Sequence, residues 1–170
     1  MPKKREPLMN GKTERRTLRE LYRAALAGVN PRKCVEQALK EPQVAEVLKA
    51  ARSVGVFAVG KAAAGLVRGA RGAASRGIAI LPRGSARFAQ AGIEVLHSSH
   101  PEPDRSSVRA ARRTIAFFES FGSDEVILCL VSGGTSSLLA LPRPGVTLAE
   151  KRRRVARLSD QGASILEINH

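Results

Sequence analysis

The sequence is poor in the residues that mark several common classes of protein. Aromatic residues make up only 4% of its 170 residues and tryptophan is absent, so it lacks the stacking side chains of a surface for single-stranded nucleic acid. Its two cysteines, Cys34 and Cys129, have no CxxC or Cys/His spacing, which argues against disulfides and a zinc site. No apolar run approaches the roughly 18 residues that span a bilayer, and the basic start has no apolar signal core. We therefore expect a cytoplasmic protein without a membrane segment and without a metal site of its own.

Positive charge is abundant but dispersed. The formal net charge is +14, and basic residues are denser only at 3–16 and 151–154. Neither run carries interleaved aromatic residues, so a nucleic-acid-associated protein stays an outside hypothesis rather than the main one.

The first part of the chain is predicted to be a basic tail over residues 1–16, followed by two helices. A helical apolar stripe is formed by Leu18, Leu21, Tyr22, Ala25, Leu26 and Val29. Gly28 and Asn30 end this helix, and Asn30-Pro31 supplies an N-cap and a first-turn proline for the next one.

From Val54 onward, apolar runs alternate with helical stretches. Candidate strands begin at Val54, Gly77, Ile93 and Val126, and helices are expected from Lys61 and over about 107–121. This alternation predicts an α/β domain over residues 17–170 with a Rossmann-like, three-layer architecture and a mostly parallel sheet.

Two capping boxes, at 147–150 and 164–167, predict two closing helices. The second has no C-terminal cap before His170, so we expect the domain to be incomplete. Ile165 and Ile168 would then lack part of their partner surface, which favours self-association.

Three loops are predicted to follow parallel strands at the edge of the sheet where open α/β proteins bind ligands. The first contains Gly60 and Lys61 at a strand-to-helix turn, so backbone amides and the lysine are expected to face an anion, although Lys61 is also compatible with a plain surface lysine. The match to a P-loop fails because Ala62 replaces the magnesium-binding hydroxyl residue.

The other two loops offer further polar groups. The stretch Ser132, Gly133, Gly134, Thr135 and Ser136 provides amide and hydroxyl donors for a phosphate or carboxylate, or forms an ordinary turn. In the loop 100–104 two prolines stiffen the presentation of His100 and Asp104, although Asp104 equally suits a helix N-cap. The motifs GxGxxG and GxSxG are both absent, which disfavours a dinucleotide-dependent oxidoreductase and a serine hydrolase.

Taken in order, the segments AVGKAAAGL, HPEPD, LVSGGTSSLLALP and QGASILEIN resemble the amino-terminal domain of the glycerate 2-kinase family, whose older members were often labelled hydroxypyruvate reductases. The resemblance implies a two-domain kinase that transfers the ATP γ-phosphate to D-glycerate, giving 2-phosphoglycerate, with Mg²⁺. It also implies that a C-terminal domain is missing from this chain.

The resemblance assigns residues by position. Lys61 matches the lysine proposed to be catalytic, and the phosphate- and substrate-binding positions are Gly60, His100, Asp104, Ser132, Gly133, Gly134, Thr135, Ser136, Glu167 and Asn169. Thr135 replaces a third glycine, and a β-branched residue resists positive φ. The alternative is a catalytically inactive remnant or small-molecule-binding fragment of the same fold.

Overall fold

A computed structural model of the protein describes residues 11–169. Three helices precede the first strand, and the remaining elements alternate around one sheet. In chain order they are α1 (Gly11–Gly28), α2 (Pro31–Ala38), α3 (Pro42–Ala50), β1 (Val54–Val59), α4 (Ala63–Gly69), β2 (Arg76–Pro82), β3 (Ile93–Ser98), α5 (Arg105–Glu119), β4 (Val126–Val131), α6 (Thr135–Leu138), α7 (Leu148–Asp160) and α8 (Ile165–Asn169).

The four strands form one sheet in the order β3-β2-β1-β4, and every neighbouring pair is parallel. This confirms the predicted α/β class and parallel sheet. β1 and β2 are central and almost wholly buried, which explains why their sequences are continuous apolar runs rather than alternating ones.

The sheet has helices on both faces, so the fold has three layers. On one face Phe57, Val59 and Ile78 pack against Ala110 of α5 and Leu138 of α6. On the other face the alternate residues of β1 and β2 pack against Ala63 and Val67 of α4 and against Phe88 in the β2–β3 loop. Because side chains alternate along a strand, consecutive apolar residues serve two separate cores.

The amino-terminal region differs from the sequence prediction in two ways. Residues 11–16, assigned to a basic tail, form the first turns of α1, while the rest of that tail lies outside the described residues. A third helix, α3, was also missed, although Pro42 at its first turn gave a signal for it.

Two apolar surfaces are exposed in this fold. No residue of α1 is buried, and Leu18 and Tyr22 of its predicted apolar stripe are each 65% exposed. At the other end Ile165 is 68% exposed, as expected from the sequence, whereas Ile168 is half-buried.

Candidate functional site

The predicted loops meet where the order of the sheet reverses. From β1 the chain adds β2 and β3 on one side, then returns to place β4 on the other side of β1. Val59 and Val131 are paired at the carboxyl ends of β1 and β4, and the loops that contain Lys61 and Ser132 leave from there. Parallel α/β sheets open a crevice at such a point because the two loops diverge to opposite faces.

The two loops are joined by direct backbone contacts. The Lys61 amide donates to the Gly133 carbonyl at 2.9 Å, and the Ala62 amide donates to Ser132 Oγ at 3.1 Å. Ser132 Oγ in turn donates to the Val59 carbonyl at 3.1 Å. The hydroxyl of Ser132 therefore serves as a structural link between the loops, which leaves little of its hydrogen-bonding capacity for a ligand.

These contacts correct one expectation about the first loop. The sequence predicts that the backbone amides of this turn face an anion, but the four amides of residues 60–63 all donate to protein acceptors. These acceptors are the carbonyls of Ile80, Gly133 and Gly60 and the hydroxyl of Ser132. What this loop offers to a ligand is the side chain of Lys61. It is exposed, and its ammonium makes no hydrogen bond or ion pair with any residue of the described range.

The loop after β4, residues 132–136, which we call the glycine loop, does present free amides. Gly134 has φ of 97° and is followed at once by α6. Within the part of the chain that the structure describes, the backbone N–H groups of Gly133, Gly134, Thr135 and Ser136 donate to no protein acceptor. Four successive unused amides around a left-handed residue form the kind of concave donor surface that binds anions.

Thr135 fits this loop without strain. Every positive φ angle in the described residues belongs to glycine, so Thr135 does not occupy the conformation that a β-branched residue resists. It is the first residue of α6, and its hydroxyl donates to the Ser132 carbonyl at 2.8 Å. The left-handed turn is made by Gly134 instead.

His100 lies directly against the glycine loop. A Cβ added to Gly134 would stand 2.8 Å from His100 Cδ2 and 3.6 Å from Lys61 Cγ. The predicted meeting of Lys61, His100 and Gly133 at one edge of the sheet is thus confirmed. The half-buried imidazole and the aliphatic part of the lysine flank the turn that carries the free amides.

Asp104, for which the sequence left two roles open, is the N-cap of α5. Its Oδ1 accepts from the Ser106 amide at 2.7 Å and from the Ser106 hydroxyl, and its Oδ2 accepts from Arg83 at 3.0 Å. The hydrogen bond from the Ser106 hydroxyl is the main cause that lowers the pKa of Asp104 to about 2, with Arg83 adding to it. The carboxylate therefore holds the 100–104 loop in place, and its hydrogen bonds to Ser106 and Arg83 leave it little capacity to bind a ligand.

Two residues of this region were missed by the sequence reasoning. The buried Ser98 at the end of β3 donates to the Leu138 carbonyl at 2.9 Å and lies 3.1 Å from the hydroxyl of Ser107, so it ties β3 to α5 and α6. Arg83 follows β2 at the same sheet edge and anchors Asp104. Their position at or just after the carboxyl ends of candidate parallel strands was the available signal.

The carboxy-terminal candidates are placed differently. Glu167 accepts from the Ser164 amide at 2.7 Å and the Ser164 hydroxyl at 2.8 Å, and the first of these bonds is the main cause of its lowered pKa. It thus completes the capping box of α8 instead of facing the loop cluster. Asn169 is the last residue of α8, and its side chain lies outside what the structure describes.

The described residues contain no group of three or more histidine, cysteine, aspartate or glutamate side chains arranged to hold a metal ion. No helix among them combines the length and apolar character needed to cross a membrane.

Comparison with known proteins gives matches over nearly the whole chain. A family model described as a domain of unknown function, DUF4147, matches residues 17–170. A protein of Agrobacterium vitis whose name labels it a hydroxypyruvate reductase is 34% identical over 94% of this chain and 36% of its own length. The D-glycerate 2-kinase of Thermotoga maritima is 29% identical over 88% of this chain and 35% of its own length.

A solved structure agrees with these matches. The crystal structure of glycerate kinase from Thermotoga maritima superposes with a TM-score of 0.75 at 27% identity, and covers 93% of this chain and 37% of that one. The chain thus spans about a third of the length of these relatives.

Proposed function

Because the chain belongs to the DUF4147 family, whose model matches residues 17–170, we propose that it forms the amino-terminal part of an ATP-dependent kinase that converts D-glycerate to 2-phosphoglycerate. The relatives named glycerate kinases support the general class. Since the chain spans about a third of their length, the complete reaction is proposed for a protein that also contains the remaining two-thirds.

The observation that carries this proposal is that the side chain of an unpaired lysine lies against a turn with four free amides: Lys61 Cγ is 3.6 Å from a Cβ added to Gly134. The side chain of Lys61 and the backbone amides of residues 133–136 lie at the carboxyl ends of β1 and β4, and none of these groups donates to an acceptor in the described protein. Preorganised donors of this kind stabilise negative charge well because they need no reorganisation when the charge develops.

The residues then take distinct parts in the reaction. The glycine loop binds a phosphate of ATP or the carboxylate of glycerate, and Lys61 neutralises charge that develops as the γ-phosphoryl group moves to the 2-hydroxyl of glycerate. Phosphoryl transfer depends mainly on positioning and on charge stabilisation, so no nucleophile from the protein is required. His100, which lies against Gly134, and Asp104, which caps α5, hold the loops in position.

The described residues do not fit a magnesium site made by protein ligands. Mg²⁺ prefers carboxylates and phosphate oxygens in octahedral geometry. The 100–104 loop carries two carboxylates, and both already have partners: Asp104 accepts from Ser106 and Arg83, and Glu102 is paired with Arg152. The described residues hold no ligand cluster. We therefore assign Mg²⁺ no ligand among the described residues, and propose that it arrives bound to the phosphates of ATP.

The first test is a titration of the whole 170-residue chain with ATP, followed by NMR of the backbone amides. We expect shifts at Gly133, Gly134, Thr135 and Ser136, and weaker binding in Lys61→Ala. Shifts spread over the basic surface, with none concentrated at the glycine loop, would contradict a phosphate site there.

The second test measures phosphoryl transfer. With ATP and D-glycerate, the chain alone is expected to form no phosphoglycerate, because it supplies donors from one side only. A chimera in which residues 17–170 replace the matching third of the Thermotoga maritima enzyme should form it. Binding of ATP without transfer in a folded, full-length chimera would favour a non-catalytic small-molecule-binding role.

A further inference from the structure

A second basic cavity lies at the far end of α4, away from the glycine loop. It has a volume of about 630 Å³ and is bounded by α2, the end of α4 and the β2–β3 loop. Arg32, Arg68 and Arg71 line it together. Lys61 precedes the start of α4 and Arg68 belongs to its last turn, so about 10 Å of helix separate the two regions.

The charges of this cavity are unbalanced. Among the residues that the structure describes, Glu36 is the only acidic one in the lining, and its carboxylate accepts from Arg32 Nε at 2.6 Å. The side chain of Arg71 makes no hydrogen bond or ion pair within residues 11–169. Arg68 lies over the ring of Phe88, with its Cζ 5.3 Å from the ring centroid, and has no acidic partner in that range.

The packing beneath the cavity fixes the backbones that carry Arg32 and Arg68. A Cβ added to Gly69 would stand 2.4 Å from the Arg32 carbonyl oxygen and 2.7 Å from Val35 Cβ, so the backbones of α2 and α4 are in direct contact. This contact fixes the start of α2 relative to the end of α4. Phe88, itself buried, orients the guanidinium of Arg68 by a cation–π interaction.

Neutral donors complete the lining. Gly72, one of the lining residues, has φ of 88°, and no atom of the described residues would lie within 4 Å of a Cβ added to it. Neither the Gly72 amide nor the side-chain amide of Gln90 makes a hydrogen bond to another described residue. Planar guanidinium groups next to free amides match the oxygens of a phosphate.

We propose that this cavity is a second anion-binding site, which binds a small phosphorylated organic molecule. Its volume lies in the usual range for small-molecule sites, roughly 300 to 1,000 Å³, and its lining comes from three short segments, α2, the end of α4 and the β2–β3 loop. These features favour a small ligand over a nucleic-acid strand, which would follow a continuous basic track.

The test uses the whole chain, with inorganic pyrophosphate as the probe at constant ionic strength. NMR resolves the two regions, because the cavity reports through the Gly72 amide and the Gln90 side chain, and the proposed catalytic region through residues 133–136. We expect saturable shifts at Gly72 and Gln90 that persist in Lys61→Ala. The absence of these shifts would overturn the proposal of a second site, but it would not contradict the function proposed for the glycine loop.

A matched pair of variants separates a built site from general positive charge. Arg71→Gln should weaken pyrophosphate binding at the cavity about tenfold, since a hydrogen bond to a charged group typically contributes that much. Arg109→Gln also removes one positive charge, but from α5, and should change the affinity for pyrophosphate at the cavity less than twofold. Equal losses in both variants would mean nonspecific attraction and would overturn the proposal.

The same assay decides between a small molecule and nucleic acid. A single-stranded 20-nucleotide DNA should not outcompete pyrophosphate at Gly72 when both are compared per phosphate group. Tighter DNA binding with a steep salt dependence, removed by Arg71→Gln, would identify a nucleic-acid surface instead and would also overturn the proposal.

Discussion

Gly60 and Ser132 are packed so closely that a methyl group added to Gly60 would lie 2.2 Å from the Ser132 hydroxyl oxygen. This contact joins the loops after β1 and β4, and it leaves room for nothing larger than hydrogen. Since Gly60 also has φ of 116°, two independent physical reasons require glycine there.

The first prediction follows from this contact. Gly60→Ala should lower the free energy of unfolding by about 3 kcal/mol, from backbone strain and the clash with Ser132 together. Gly145→Ala is the control, because Gly145 has φ of 83° but open space around it, and should cost about 1 kcal/mol. Urea denaturation of both variants measures the difference, and equal losses would show that the contact adds nothing.

The second prediction concerns Lys61. Lys61→Ala should change the free energy of unfolding by less than about 0.5 kcal/mol, because the side chain is exposed and without a protein partner in the described residues. In a chimera that carries the rest of a glycerate kinase, loss of this charge should cost about 3 to 4 kcal/mol of transition-state stabilisation.

The control for Lys61 is Lys40→Ala, which removes an exposed lysine far from the loops in sequence. Turnover assays should show a large fall in kcat for Lys61→Ala and almost none for Lys40→Ala. Near-normal turnover in Lys61→Ala would remove this residue from the catalytic assignment.

The third prediction compares the two glycines of the glycine loop. Gly134→Ala should destabilise the protein by about 2 kcal/mol, because φ at Gly134 is 97° and the new methyl group would press on the His100 ring. Gly133→Ala should be nearly neutral, since Gly133 has no positive φ and open space beside it. Thermal unfolding gives the ranking, and NMR of the His100 ring protons should change only in Gly134→Ala.

The fourth prediction is a pH dependence that comes from Asp104. Its pKa is lowered to about 2 in the folded protein, mainly by the Ser106 hydroxyl, so its ionised form contributes stability above about pH 4 that is lost as the pH falls through about 2. Asp104→Asn keeps a capping side chain but removes the charge. It should cost about 1 kcal/mol at pH 7, and the difference from the natural protein should vanish below about pH 2.

Urea titrations between pH 7 and pH 2 test this prediction. Glu125, Glu150 and Glu167 also have lowered pKa values, but they titrate in both proteins and cancel in the comparison. A difference that stays constant down to pH 2 would mean that the charge of Asp104 does not support α5.

Most of the helices and strands, and their order, can be predicted from the amino-acid sequence, although α3 and the first turns of α1 were not. Continuous apolar runs are typical of strands buried on both faces, and the capping boxes at Thr147 and Ser164 begin helices through contacts within four residues. The meeting of Lys61, His100 and Gly133 could also be predicted, because parallel strands bring their carboxyl ends to one edge.

Which groups at that edge remain free depends on contacts between segments that are distant in the sequence. The amide of Lys61 donates to the carbonyl of Gly133, and the amide of Ala62 donates to the hydroxyl of Ser132. In both hydrogen bonds the acceptor is about 70 residues away in the chain. The amides of residues 133–136 stay unused because the chain turns there into α6, and the first amides of a helix have no acceptor within it. Hydrogen bonds between distant segments compete for the same donors that a ligand needs, and a linear pattern carries no record of that competition.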